Sequence, residues 1–151
     1  MYPDLHDEVS QRLEVKGLSV AFYEEGQPED SIRDYDTNIT GVFTCPKQSC
    51  RNERWESGIV AISIQLFKDG LYNALVWHQR CQNCKSIGKL ELNVQAYTDR
   101  VAYRLGKWLG LKAPFPPFSP YVDTSPHKEE LCEGCKNGHC LHSKASAAGA
   151  I

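Results

Sequence analysis

The chain has 151 residues and a net charge of −2, with 41% hydrophobic and 24% charged residues. That is enough for one domain with a real core, and no apolar run approaches the roughly 18 residues of a membrane-spanning helix. The acidic start, MYPDLHDEVSQRLEVKG, lacks the basic and apolar regions of a secretory signal. A reducing compartment is therefore expected, the cytoplasm with the nucleus as alternative, where thiols persist and structural disulfides are rare.

In chain order, residues 3–15 read as a short amphipathic helix, with Leu5, Val9 and Leu13 at i, i+4, i+8. Residues 18–25 read as a strand, and the acidic, turn-rich 26–38 as an exposed loop. GVFTC leads as a strand into a first cysteine turn. Residues 55–67 form a long strand with Val60, Ile62, Ile64 and Leu66 on one face. Asp69-Gly70 then signals a hairpin, because glycine takes positive φ without strain. Residues 71–80 return as the partner strand into a second cysteine turn, and 89–97 leave it as a half-buried strand. Residues 98–111 are predicted helical, capped by Thr98 or Asp99, with Val101, Leu105, Trp108 and Leu109 as the apolar stripe. Arg100, Arg104 and Lys107 line another face. The proline-rich 113–120 reads as an extended connector, and the last residues as a frayed tail. The predicted fold class is α+β: an antiparallel ribbon-like sheet with a long central hairpin, a short N-terminal helix and one helix after the sheet. The expected organisation is 1–40 packing on the core, 41–142 as the domain that carries the cysteine turns and 143–151 as tail.

Seven cysteines dominate the chemistry. Thiolates in short Cys-x2–4-Cys turns suit tetrahedral zinc. Cys81-x2-Cys84 fits well, and Cys45-x4-Cys50 sits at the loose end of the spacing. Each pair lies at the tip of a β unit, so Cys45, Cys50, Cys81 and Cys84 form the first candidate site. Cys132, Cys135 and Cys140 begin a second, which needs an eighth ligand. His139 adjoins Cys140, so its side chain diverges. His142, two residues past Cys140, is cramped. His127, five residues before Cys132, can arch back over the ion. His127 is favoured, with His142 as the alternative, and an interleaved grouping of the pairs between the two ions stays open. Disulfides are disfavoured by the odd count and the absent signal. A redox role for Cys81-Gln-Asn-Cys84 lacks the strand-to-helix placement that lowers a thiol pKa. A catalytic zinc would need an open position and a carboxylate base, and neither the full His-x-Glu…Pro-Cys-x-x-Cys signature of zinc deaminases nor His-Glu-x-x-His occurs. The chain is expected not to be an enzyme.

Phe-Thr-Cys with a second cysteine and Trp55 after it, a long hairpin, RCQNC, and then PH-x4-C-x2-C-x4-C (Pro126 to Cys140) together resemble the 3CxxC-type zinc-finger family. That family includes the receptor-transporting proteins and the zinc domains of zygote-arrest proteins. The resemblance spans about residues 41–142, implies two Zn2+ ions and carries His127 over as the matching histidine. Its departure is the first motif, which has four intervening residues where the family usually has two. From the receptor-transporting proteins it implies an adaptor or chaperone-like module that escorts client proteins. The candidate surface is Phe115 to Phe118, flanked by Trp108 and Tyr121. From the zygote-arrest proteins it implies, as an alternative, RNA binding in post-transcriptional regulation. Arg100, Arg104 and Lys107, with Lys85 and Lys89, would then contact phosphates, and Tyr97, Tyr103 or Trp77 would stack on bases. Against RNA stands the charge distribution. Residues 1–44 carry −7 and residues 45–151 carry +5.

Overall fold

The structure is a computed structural model, and it describes residues 1–50, 54–111 and 127–141. A 3-10 turn leads into α1 (His6–Glu14). The strands are β1 (Ala21–Phe22), β2 (Arg33–Thr44), β3 (Arg54–Leu66), β4 (Leu71–Val76) and β5 (Lys89–Leu92). Two helices follow, α2 (Val94–Trp108) and the single-turn α3 (Glu133–Lys136). The sheet order is β1-β4-β3-β2-β5, with β1 parallel to β4 and β5 antiparallel to β2. The α+β class and the mainly antiparallel sheet match the expectation.

The β3–β4 hairpin forms where Asp-Gly predicts it. Asp69 and Gly70 both take positive φ, 62° and 74°, and Phe67 N–H donates to Leu71 O at 2.7 Å. Val60, Ile62, Ile64 and Leu66 are all buried, and so are Ala61 and Ser63, so β3 is covered on both faces.

Two compact units divide the chain, and the division falls within β2, β3 and β4. The first takes Met1–Tyr35, Ser63–Leu75 and the described residues from Val94. Its α1 packs on α2, burying Val9 and Leu13 from one helix and Val101, Ala102 and Leu105 from the other. Arg12 pairs with the buried Asp99 carboxylate. The His6 imidazole bonds to the Tyr72 hydroxyl at 2.8 Å, and the Asn73 amide donates to Tyr23 O and Gly26 O.

The second unit takes Asp36–Ile62, Val76–Asn93 and the described residues from His127. There β5 lies on β2 in the register Gly41↔Leu92 to Thr44↔Lys89. Gly41 allows this approach: a Cβ there would stand 2.7 Å from Leu90 Cδ1 and 3.2 Å from Glu91 O. Phe43 stacks on Trp55 with centroids 5.4 Å apart. The buried Gln79 accepts from Trp55 Nε1 and donates to Ser57 Oγ and Ile59 O, so its polar atoms are satisfied.

Four expectations are corrected. The strand expected over 18–25 shrinks to Ala21–Phe22. Gly17, at φ 81°, and Leu18 close the end of α1 by donating to Glu14 O and Leu13 O, and a turn begins at Tyr23. The loop expected over 26–38 becomes strand from Arg33, starting where Ile32 N–H meets Leu66 O at 2.7 Å. Among the described residues β5 pairs with β2 only over Gly41–Thr44, so no strand is added along 33–39 on that side, where acidic side chains are tolerated. The strand expected over 71–80 stops at Val76, and Gln79 and Arg80 make isolated bridges instead. The strand expected over 89–97 ends at Leu92. Helix α2 starts at Val94, so Thr98 and Asp99 are buried inside it and cap nothing. The 113–120 connector and the 143–151 tail lie outside the described residues.

Candidate metal centres

The first cysteine turn follows β2 directly. Cys45 is the residue after the strand, and Cys50 ends a 3-10 turn in which its N–H donates to Lys47 O at 3.0 Å. The second turn is a tight knuckle. Cys81 N–H donates to Ser86 O, Lys85 N–H donates to Cys81 O, and Lys85 takes φ 62°. Behind it Gly88 lies against two rings, since a Cβ there would meet Trp55 at 2.9 Å and Phe43 at 3.1 Å. These two turns bring Cys45, Cys50, Cys81 and Cys84 together with all four sulfurs within 4.8 Å of one another.

The second cluster is built around α3. Cys132 precedes the helix, and its Sγ accepts the Cys135 N–H at 3.3 Å. Gly138, at φ 77°, then turns the chain, and His139 N–H returns to Gly134 O at 2.8 Å. Cys140 is thereby carried back beside Cys132, and both are fully buried with Ala61. His127 arches over from the other side, as its spacing predicts. Its Nε2 lies 3.3 Å from Cys135 Sγ and 3.7 Å from Cys140 Sγ. His127, Cys132, Cys135 and Cys140 again hold their ligand atoms within 4.8 Å.

Both clusters fit zinc. Tetrahedral bonds of about 2.3 Å to sulfur place neighbouring sulfurs about 3.8 Å apart, and a nitrogen and a sulfur about 3.6 Å apart. Here Cys45–Cys84 and Cys50–Cys81 are 3.4 and 3.6 Å apart. All seven cysteines are free thiols, and those sulfur separations exceed the roughly 2.05 Å of a disulfide. The grouping is 45/50/81/84 and 127/132/135/140, so the interleaved arrangement is ruled out.

Crowding thiols without a cation raises their proton affinity. Cys50 is pushed up to about 12, first by sharing a hydrogen bond with Cys81 and then by desolvation. Cys132 is driven up by its hydrogen bond with Cys140 and by burial. Cys84 goes the other way, to about 6, because the Ser86 side chain and backbone donate to it. Binding zinc as thiolates therefore releases protons.

The other histidines are occupied elsewhere. His139 stacks on Trp77 with centroids 5.3 Å apart and faces the Asp36 carboxylate at 3.0 Å. His78 bonds to Gly88 O at 3.1 Å. His142 lies outside the described residues, as do Phe115, Phe118 and Tyr121. On α2 the expected basic face is partly absorbed. The Arg104 guanidinium lies 3.5 Å over the Tyr35 ring, and Arg100 is half-buried with its pKa lowered by desolvation. Lys107 is exposed. Tyr97 is fully buried and unavailable for stacking on a base, which corrects that expectation. The sequence reading missed α3, although Cys-x2-Cys followed by Lys136-Asn137-Gly138 carries a helical-turn and stop signal.

A β-rich domain with a four-sulfur cluster and a three-sulfur, one-nitrogen cluster is a zinc ribbon with two sites. A family model described as a zinc-binding domain, Zn_ribbon_3CxxC, matches residues 38–138, about two-thirds of the sequence, and the chain belongs to that family. Neither a curated protein nor a solved structure gives a match.

Proposed function

We propose that this protein is a non-enzymatic, zinc-stabilised interaction module that acts as an adaptor or escort for client proteins. One observation carries the reading. Each cluster offers four nitrogen or sulfur ligands, a complete tetrahedral set that leaves no place for substrate or activated water. Zinc held this way supplies folding free energy rather than Lewis acidity, so function falls to the surface. Among the described residues that surface exposes large apolar side chains, including Val15, Ile32, Ile87 and Val94, which suit a protein partner better than a phosphate backbone. No helix among the described residues is long and apolar enough to cross a membrane.

RNA binding is the second reading, favoured by the exposed Lys85, Lys89 and Lys107. One pair of measurements separates the two. Quantitative cross-linking of the zinc-loaded chain in native extract should give protein adducts that disappear in Phe115→Ala/Phe118→Ala at unchanged zinc content. Fluorescence anisotropy with single-stranded RNA should show no binding that weakens steeply with salt. An RNA affinity lost in Arg100→Glu/Arg104→Glu, with no specific protein adduct, would replace the first reading by the second.

A further inference from the structure

The segment His78 to Cys81 serves both metal clusters. On one edge it pairs with the chain that carries Cys132. Arg80 N–H donates to Leu131 O at 2.7 Å, Glu133 N–H donates to His78 O at 3.1 Å, and Gln79 bridges Cys132 in antiparallel register. On the other edge it pairs with the loop that closes the Cys81–Cys84 knuckle. Gly88 N–H donates to Gln79 O at 2.9 Å, Cys81 N–H donates to Ser86 O, and Arg80 bridges Ile87. The Arg80 side chain repeats the backbone pattern. Its Nε donates to Glu133 Oε1 at 2.5 Å, and its Nη1 donates to Lys85 O at 2.8 Å. Glu133 follows the ligand Cys132, and Arg80 precedes the ligand Cys81. One guanidinium thus ties the two knuckles together without touching either set of ligand atoms.

We infer that the two zinc sites load cooperatively, and that Arg80 and Glu133 are the positioning residues that couple them. A zinc ion on Cys81 and Cys84 fixes the knuckle, which fixes residues 78–81. That segment is the template on which residues 131–133 pair. The second ion then meets a site whose ordering entropy has been met in part by the first. Such coupling must be reciprocal: whichever ion binds first, the affinity gain for the other is the same factor. The inference rests on both clusters holding zinc and is independent of whether the partner is protein or RNA.

The test is a chelator-competition titration of the full chain, reading zinc affinity site by site. Cys50→Ser disables the first site and Cys135→Ser the second. Each should weaken zinc at the intact site by the same factor, about 5- to 150-fold for a coupling of ordinary size. In Arg80→Ala that factor should shrink toward one, although no ligand is changed. An intact site within twofold of its wild-type affinity would overturn the inference. So would an Arg80→Ala protein in which both affinities fall but the coupling factor stays as in wild type, since that marks Arg80 as merely structural. If a ligand variant does not fold, native mass spectrometry of wild type at one equivalent of zinc decides. Coupling makes the one-ion species scarcer in wild type than in Arg80→Ala, in favour of metal-free and two-ion species. A one-ion share no smaller in wild type than in Arg80→Ala overturns it.

Discussion

The two compact units solve the same problem with different materials. The first buries large side chains: Tyr72, Tyr97, Leu13, Ile64 and Leu105 are all fully enclosed. The second has Phe43, Ile39, Val60 and Ile62 as its large enclosed apolar residues, and it holds all seven cysteines. Around the second cluster the enclosed side chains are Ala61, Cys132 and Cys140, with half-buried Ile59 and Trp77 against them. Packing of that size stabilises weakly at roughly 25 cal/mol per Å2, whereas a structural zinc contributes on the order of 10 kcal/mol. One unit is held by area removed from water, the other by ions that close its loops.

That contrast breaks most visibly when the metal is removed. Stripping zinc with a chelator, or Cys132→Ser, should cost the second unit on the order of 10 kcal/mol of apparent stability. Hydrogen exchange should show it as lost protection over 127–141 and 78–92, with slower loss over α1 and α2. Equal loss everywhere would show that the units do not differ in what holds them. The metal content of His127→Ala should fall from two ions per chain to one, or to one tight and one weak ion, by elemental analysis. Two tight ions would transfer the eighth ligand to His142. In the first unit, Leu13→Ala should cost about 2–5 kcal/mol, read as a lower denaturant midpoint at unchanged zinc content. Arg12→Ala should cost about 1–3 kcal/mol, because the buried Asp99 carboxylate loses its partner. The smallest effect expected is Gly70→Ala, about 1–2 kcal/mol, from the left-handed φ of 74° and the Ser19 carbonyl 3.0 Å from the new Cβ.

Legibility in the sequence divides along similar lines. Seven of the eight ligands can be read because metal chemistry admits few residue types at narrow spacings, and for the eighth reach favours His127 over His142. The β3–β4 hairpin can be read because Asp69-Gly70 fixes both ends of the pairing. What misleads is Leu90, Leu92 and Val94, which alternate like a strand. Yet Val94, Tyr97, Val101 and Leu105 also recur at helical spacing, and Asn93 is a residue type favoured before a helix. Two periods compete over four residues, and only the tertiary position of Tyr97 decides. Residues 33–38 mislead in another way. Their acidity reads as loop, but a strand edge left uncovered by β5 accepts the same side chains.

The two clusters also differ in time. Cys45 must wait for Cys84, 39 residues further along the chain, before its site can close. At a synthesis rate of roughly 5–20 residues per second that is about 2–8 s. His127 waits only 13 residues for Cys140, about 0.7–2.6 s at the same rate. A nascent chain therefore carries Cys45 and Cys50 as open thiols for longer than any ligand of the second cluster. Oxidative damage or capture by a wrong metal during synthesis should fall first on those two.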